Sequence, residues 1–268
     1  MPCPFFPMHR LHPGLICLLM LATSALGDIN PIVAPMSPPT QYKLLREIPR
    51  PTNHFTQGLV FVGDTLLEST GGFGRSGVFS YQGADFVPTL HRDLPRNRFG
   101  EGIVFLNNKL YQLTWSGGEV FVYSLDLRPQ KSLFIEGEGW GLTTDGHALI
   151  SSNGSDTLVF RAIDNARPLH QITIIDKNGH HWRNINELEW VNGWILANVW
   201  HSNTVLVINP QTGAVVNTLD FSALANKIPK KTPEQVLNGL AWNATTQTLL
   251  LTGKEWPLWF EVKLLSAQ

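Results

Sequence analysis

One carboxylate, one lysine, two side-chain amides and three tryptophans stand where they could do chemistry together. Glu101 lies between Gly100 and Gly102, so neighbouring side chains give its carboxylate little shielding. Alone it reads equally well as a solvated rim carboxylate. Beside apolar rings its pKa would rise toward the range useful for proton transfer. Trp115, Trp140 and Trp200 could supply such rings by walling an apolar pocket that excludes water. Gln57 and Asn186 offer amides, Lys254 offers an ammonium close to Trp256, and Phe55 and Phe99 precede Gln57 and Glu101 by two residues each. Tryptophan is more often filler than site wall, and Trp182, Trp190, Trp194, Trp242 and Trp259 are read as packing.

These residues are far apart in the chain, and an internal repeat is what would gather them. Five segments share one layout: Phe55–Gly71, Phe99–Trp115, Glu138–Gly154, Ile185–His201 and Leu237–Gly253. Each has a short alternating strand, a turn signal and a second apolar strand. The turn signals are Gly63-Asp64, Asn107-Asn108, Asp145-Gly146, Asn192-Gly193 and Asn243 to Thr246. Successive repeats begin between 39 and 52 residues apart, the period of a propeller blade.

The remainder of each period supplies outer strands. Val120–Leu127, Thr157–Ile163, Thr204–Asn209 and Trp259–Leu264 read as third strands, with Lys131–Ile135, Leu169–Ile175 and Ala214–Leu219 as fourth strands. The last blade runs out of chain after its third strand, and Tyr42–Ile48 alternates without a partner, so the N-terminal stretch is expected to close the ring. Phe221 to Lys231 is the one place for a short helix or a polar excursion, with Ser222 as a candidate cap. The reading is an all-β, five-bladed β-propeller forming one domain over residues 28–268. In a blade the first strand crosses the disc and the second returns, so first-strand starts and second-strand ends share a mouth. Phe55, Gln57, Phe99, Glu101, Trp140, Asn186, Glu187 and Asn238 stand at the starts, and Glu68, Trp115, Asn153, Trp200 and Lys254 at the ends.

Composition narrows the function. With 20 Lys+Arg against 21 Asp+Glu and only 15% charged residues, neither a nucleic-acid footprint nor a disordered chain is indicated. Arg10, the apolar run Leu15 to Leu21 and the small pair Ala25 and Gly27 read as a secretory signal peptide over residues 1–27. Cleavage would remove both cysteines, Cys3 and Cys17, leaving no disulfide, and no later apolar run could anchor the chain in a membrane. There is no HExxH, no Cys/His ligand spacing and no GxSxG elbow, so neither a zinc catalyst nor a serine hydrolase is expected. A sugar hydrolase would need several carboxylates at the mouth. Glu68, Glu101 and Glu187 are the candidates, with no Asp at a first-strand start, and this is the third choice.

The chain resembles the plant and bacterial type of glutaminyl cyclase, enzymes built on a five-bladed propeller. The strings that carry the likeness are FTQGL at 55–59, ESTG at 68–71, GRS at 74–76, FGEG at 99–102, YQLTW at 111–115, EGWGL at 138–142, NELE at 186–189, ANVW at 197–200, LNG at 237–239 and TGKxWP at 252–257. They run in order from about Tyr42 to Val262. The resemblance implies that Glu101 is the catalytic glutamate and Lys254 the active-site lysine. It makes Gln57 and Asn186 polar substrate-binding positions and Phe55, Phe99, Trp115, Trp140 and Trp200 the aromatic walls.

With that likeness the expected activity is an aminoacyl transfer within one substrate. The α-amine of an N-terminal glutamine would attack its own γ-carboxamide, giving pyroglutamate and ammonia, with Glu101 carrying the proton and no cofactor or metal. The expected partners are peptides or proteins with N-terminal glutamine, with no nucleic acid and no membrane after signal cleavage, and the chain is expected to be a monomer, secreted or periplasmic. The alternative is a non-catalytic propeller binding a peptide or carbohydrate at the same mouth.

Overall fold

The turn residues marked in the sequence take the backbone conformations a tight hairpin needs. Asn107 and Asn108 have φ of 51° and 58°, and Asn192 and Gly193 have 51° and 90°. Two successive left-handed residues match the right-handed twist of the strands they join. On such turns the computed structural model, which describes residues 36–51 and 54–267, builds antiparallel sheets. The described residues fall within one compact unit, Ala34–Gln268. The signal-peptide reading over residues 1–27 lies outside the described residues.

The first described strand is β1 (Pro39–Pro49). Blade 1 is β2 (Thr56–Val62), β3 (Thr65–Thr70), β4 (Gly77–Gln82) and β5 (Val87–Asp93). Blade 2 is β6 (Gly100–Leu106), β7 (Lys109–Thr114), β8 (Glu119–Tyr123) and β9 (Leu133–Phe134). Blade 3 is β10 (Leu142–Thr144), β11 (Leu149–Ser151), β12 (Thr157–Arg161) and β13 (Pro168–Thr173). After β14 (Ile175–Asp176), blade 4 is β15 (Ile185–Val191), β16 (Trp194–Val199), β17 (Thr204–Ile208) and β18 (Ala214–Asp220). Blade 5 is β19 (Leu237–Asn243), β20 (Thr248–Gly253) and β21 (Leu258–Ser266), with β1 as its outer strand. The innermost strands β2, β6, β10, β15 and β19 neighbour one another in a closed ring.

The N-terminal stretch closes that ring as its alternation requires. β1 pairs antiparallel with β21, from Pro39 opposite Ser266 to Pro49 opposite Leu258, so the first and last described strands share a sheet and β21 is left without an open edge. One edge is covered in a way the sequence did not suggest. Ile175, read there as the end of a blade 3 strand, instead leaves that blade and runs with Asp176 as β14, parallel to β18 of blade 4. The cap of the short helix α1 (Ser222–Ala225) also differs from expectation. Ser222 is already helical and caps nothing; the carboxylate of Asp220 accepts its backbone N–H at 2.8 Å.

The core sits between blades. Among the described residues, five clusters of buried apolar side chains each join neighbouring sheets, blade 5 to blade 1 included. Trp259 is fully buried between blades 5 and 1 and Trp194 is buried between blades 4 and 5, where Trp242 is partly buried; Trp182 and Trp190 are partly buried against the core between blades 3 and 4. Each large side chain taken out of water in this way contributes about 1.5–3 kcal/mol. The inner strands are thereby held in a fixed ring.

Candidate active site

Four of the five inner strands carry a break in pairing register near their starts. The shifts lie between Thr56 and Gly58, Gly100 and Ile103, Ile185 and Leu188, and Leu237 and Leu240. Gln57, Glu101, Asn186 and Asn238 sit inside those breaks. A bulge bends the strand and re-aims its side chains. Here it gathers polar groups from four blades at one end of the hub.

The blades approach closely enough there to exclude side chains. A Cβ on Gly102 would lie 2.4 Å from the backbone nitrogen of Leu142, and one on Gly141 would lie 2.0 Å from the carbonyl oxygen of Asn186. The glycines flanking Glu101 therefore serve close packing rather than exposure. Contrary to the sequence reading, Glu101 is only 4% exposed. Glycines at second-strand ends also make room for rings: a Cβ on Gly71 would strike Phe99, and one on Gly154 would strike Trp140.

The result is a cavity of about 290 Å³ lined by Phe55, Gln57, Phe99, Glu101, Trp115, Trp140, Asn186, Trp200, Glu234 and Lys254. Nine of the thirteen residues that the repeats place at the mouth line it together. Asn238 lies behind Gln57, to which it donates a hydrogen bond at 3.1 Å. Glu68 and Glu187, placed at the mouth by sequence, are buried elsewhere. Glu68 meets Arg50 at 2.5 Å, and Glu187 accepts the backbone N–H groups of Leu59 and Leu240 at 3.4 and 3.0 Å. Asn153 is exposed and accepts the backbone N–H and hydroxyl of Ser155. Of the three carboxylates weighed for a sugar hydrolase, Glu101 alone lines this cavity.

Glu101 is held by a directed chain of donors. Asn238 Nδ2 donates to Gln57 Oε1, and Gln57 Nε2 donates to Glu101 Oε1 at 2.9 Å. The hydroxyl of Ser69 donates to the Glu101 carbonyl oxygen, fixing the backbone. Burial pushes the Glu101 carboxyl well above the usual carboxylate range and the nearby Glu138 charge adds to this, while the Lys254 ammonium and the Gln57 hydrogen bond oppose it. Burial also lowers the Lys254 pKa, against the pull of Glu101 and Glu234.

The aromatic walls meet edge to face. Trp140 and Trp200 have ring centroids 5.7 Å apart at 87°, and Phe99 meets Phe55 at 6.1 Å and Trp115 at 5.7 Å. Lys254 Nζ lies 4.9 Å from the Phe55 ring centroid and 5.7 Å from that of Trp200, favourable cation–π placements. Asn186 Oδ1 and Trp200 Nε1 are buried without a hydrogen-bond partner.

Two acidic residues were missed in the sequence. Glu234 lines the cavity from the segment between α1 and β19, 3.5 Å from His201, and lies outside every repeat, so no spacing marked it. Glu138 accepts the indole N–H of Trp115 at 3.1 Å and of Trp140 at 2.9 Å; it opens the third repeat, which was the available signal. Among the described residues no group of three or more His, Cys, Asp or Glu is placed to hold a metal ion, and no helix is long and apolar enough to cross a membrane.

Comparison with known proteins agrees with the architecture. The family model for glutamine cyclotransferase matches residues 15–264. A glutaminyl-peptide cyclotransferase of Arabidopsis thaliana is 35% identical over 234 residues, spanning 85% of this chain and 72% of that protein. The crystal structure of Myxococcus xanthus glutaminyl cyclase superposes with a TM-score of 0.79 at 37% identity, covering 86% of this chain and all (100%) of that one. This propeller belongs to the glutamine cyclotransferase family and is, with it, an enzyme of the acyltransferase class.

Proposed function

We propose that the cavity converts the N-terminal glutamine of peptides or proteins to pyroglutamate with release of ammonia, Glu101 carrying the proton. The observation that supports this most is a single carboxyl buried among aromatic rings, its proton affinity raised toward that of the groups it must serve. The substrate amine attacks the γ-carboxamide carbon in its neutral form. A C–N bond forms and Glu101 takes one amine proton. The same carboxyl then gives that proton to the amide nitrogen as the old C–N bond breaks, so ammonia leaves and the carboxylate is restored.

The other residues orient the substrate and stabilise charge. Asn186 Oδ1, unpartnered, accepts from a substrate N–H, and Trp200 Nε1 donates to a substrate oxygen. Lys254, itself buried, places a cation where the carboxamide oxygen gains charge, and beside apolar rings such a charge acts more strongly than in water. The indoles of Trp115, Trp140 and Trp200 and the rings of Phe55 and Phe99 confine the glutamine stem in a folded shape, so an internal attack replaces a floppy chain's search. The rim admits the peptide tail, and no metal is assigned a step. We further propose, from the sequence alone, that residues 1–27 direct export to the periplasm or beyond; the mass of the protein recovered from outside the cytoplasm should start at Asp28.

The direct test is incubation with a Gln-initiated peptide. Ammonia should be released and the peptide should lose the mass of ammonia, faster than in buffer. A rate equal to the spontaneous one would favour a propeller that only binds peptide or carbohydrate there. Chelator should leave the rate unchanged; a loss restored by zinc would bring a metal into the step.

A further inference from the structure

Glu138 is the unexplained carboxylate beside the cavity. It does not line the space, yet one of its oxygens, Oε2, accepts the indole N–H groups of both Trp115 and Trp140. Trp115 follows β7 in blade 2 and Trp140 precedes β10 in blade 3, so the two bonds tie side chains of different blades to one atom. Trp115 is 39% exposed and Trp140 half-buried, which leaves their rings less restrained by packing than those of Trp256 or Trp259.

We propose that Glu138 is a positioning residue that holds the indoles of Trp115 and Trp140 together as one wall of the cavity. The role rests on reading the cavity as a glutamine-cyclising site, but the clamp itself does not. An indole N–H is a donor only, so without this acceptor each ring keeps its aromatic contacts but loses the bond that fixes where its N–H points. Hydrogen bonds to an ionised acceptor are also the stronger kind. The carboxylate serves a second purpose through its charge. The charged groups acting on Glu101 are Lys254 and Glu138, with Glu234 acting on Lys254 in turn, and Glu138 is the one that favours a proton on Glu101.

Two variants separate clamp from charge. Glu138→Gln keeps an oxygen able to accept both indoles and loses the charge; Glu138→Ala loses both. In protein with nitrogen-labelled tryptophan and no substrate, the indole N–H signals of Trp115 and Trp140 should shift and exchange faster with water in Glu138→Ala and stay near their original positions in Glu138→Gln. With a Gln-initiated peptide, KM should rise on the order of tenfold in Glu138→Ala, with a smaller change in kcat. Glu138→Gln should keep KM while the acid limb of kcat/KM moves to lower pH. Indole signals unmoved in Glu138→Ala, or an unchanged KM in an active enzyme, would overturn the proposal. If the unaltered protein proves inactive, the cyclase reading falls while the indole measurement still decides the clamp.

Discussion

Gln57 Nε2 donates to Glu101 Oε1 at 2.9 Å, and because Gln57 Oε1 is itself occupied by Asn238 at 3.1 Å, the amide is held in the orientation that offers its donor. Glu101 therefore always presents an acceptor to Gln57. A glutamine at position 101 can meet the same need with its carbonyl oxygen, so Glu101→Gln should fold with a thermal midpoint close to that of the unaltered chain. It cannot take and return a proton. Its kcat should fall by about 10²–10⁴, the usual worth of a positioned acid–base group, with KM little changed. Full retained turnover would move the proton to another residue.

Lys254 should tune Glu101 in the direction opposite to Glu138. Burial raises the Glu101 pKa and the Lys254 ammonium draws it back down. As a base Glu101 must be ionised, so activity should fall as pH drops below its raised pKa. Lys254→Met removes the opposing cation and should move that acid limb to higher pH, besides lowering kcat through the lost charge on the carboxamide oxygen. A kcat/KM profile across mildly acidic to mildly alkaline pH reads both effects. A limb that moved downward would reverse the assignment.

Outside the cavity lining, Glu68 should set the acid stability of the closure between blades 5 and 1. Burial alone would raise its pKa, but Arg50 at 2.5 Å, His54 and Thr56 outweigh that and bring it to about 2. A carboxyl lowered in the folded state stabilises it above the unfolded pKa and loses that contribution as pH falls through the folded value. From an ordinary value of 4.5 to about 2, this is on the order of 3 kcal/mol, lost between those limits. Glu68→Gln should flatten the stability profile there, and at neutral pH it should destabilise by leaving Arg50 buried without its counter-charge. Denaturant melts at several pH values measure both.

Much of this architecture could be read along the chain because hairpin turns and alternation are local. Asn107-Asn108 and Asn192-Gly193 announce their turns, and the unpaired alternation of Tyr42–Ile48 announces β1. What stayed hidden depends on partners remote in sequence. β5 is exposed along almost its whole length and β4 precedes it in the one blade whose outer strands had no reading. Repeat alignment placed Glu68 at the mouth, but it lies within β3 opposite Leu59, where the pleat turns it into the blade rather than out of it. Residues just past a strand end, Trp115, Trp200 and Lys254, escape that alternation and do reach the cavity. The shielding of Glu101 was misread because glycine neighbours suggest openness until the facing backbone of blade 3 is in view.

That last point yields a prediction about the scaffold. Gly102 N donates to the Trp140 carbonyl oxygen at 2.6 Å, and a Cβ there would sit 2.4 Å from Leu142 N and 2.7 Å from Gly141 C, all backbone atoms that cannot swing aside. Gly102→Ala must push β6 and β10 apart. Overpacking of this kind costs about 1–3 kcal/mol, and here it acts one residue from Glu101. The variant should show a lower denaturant midpoint and, in its folded fraction, a lower kcat, because the same displacement carries the carboxylate away from Gln57 and from the wall formed by Trp140. Unaltered stability would mean the inner strands can separate freely, and the fixed placement of Glu101 against that wall would no longer follow from the packing of the hub.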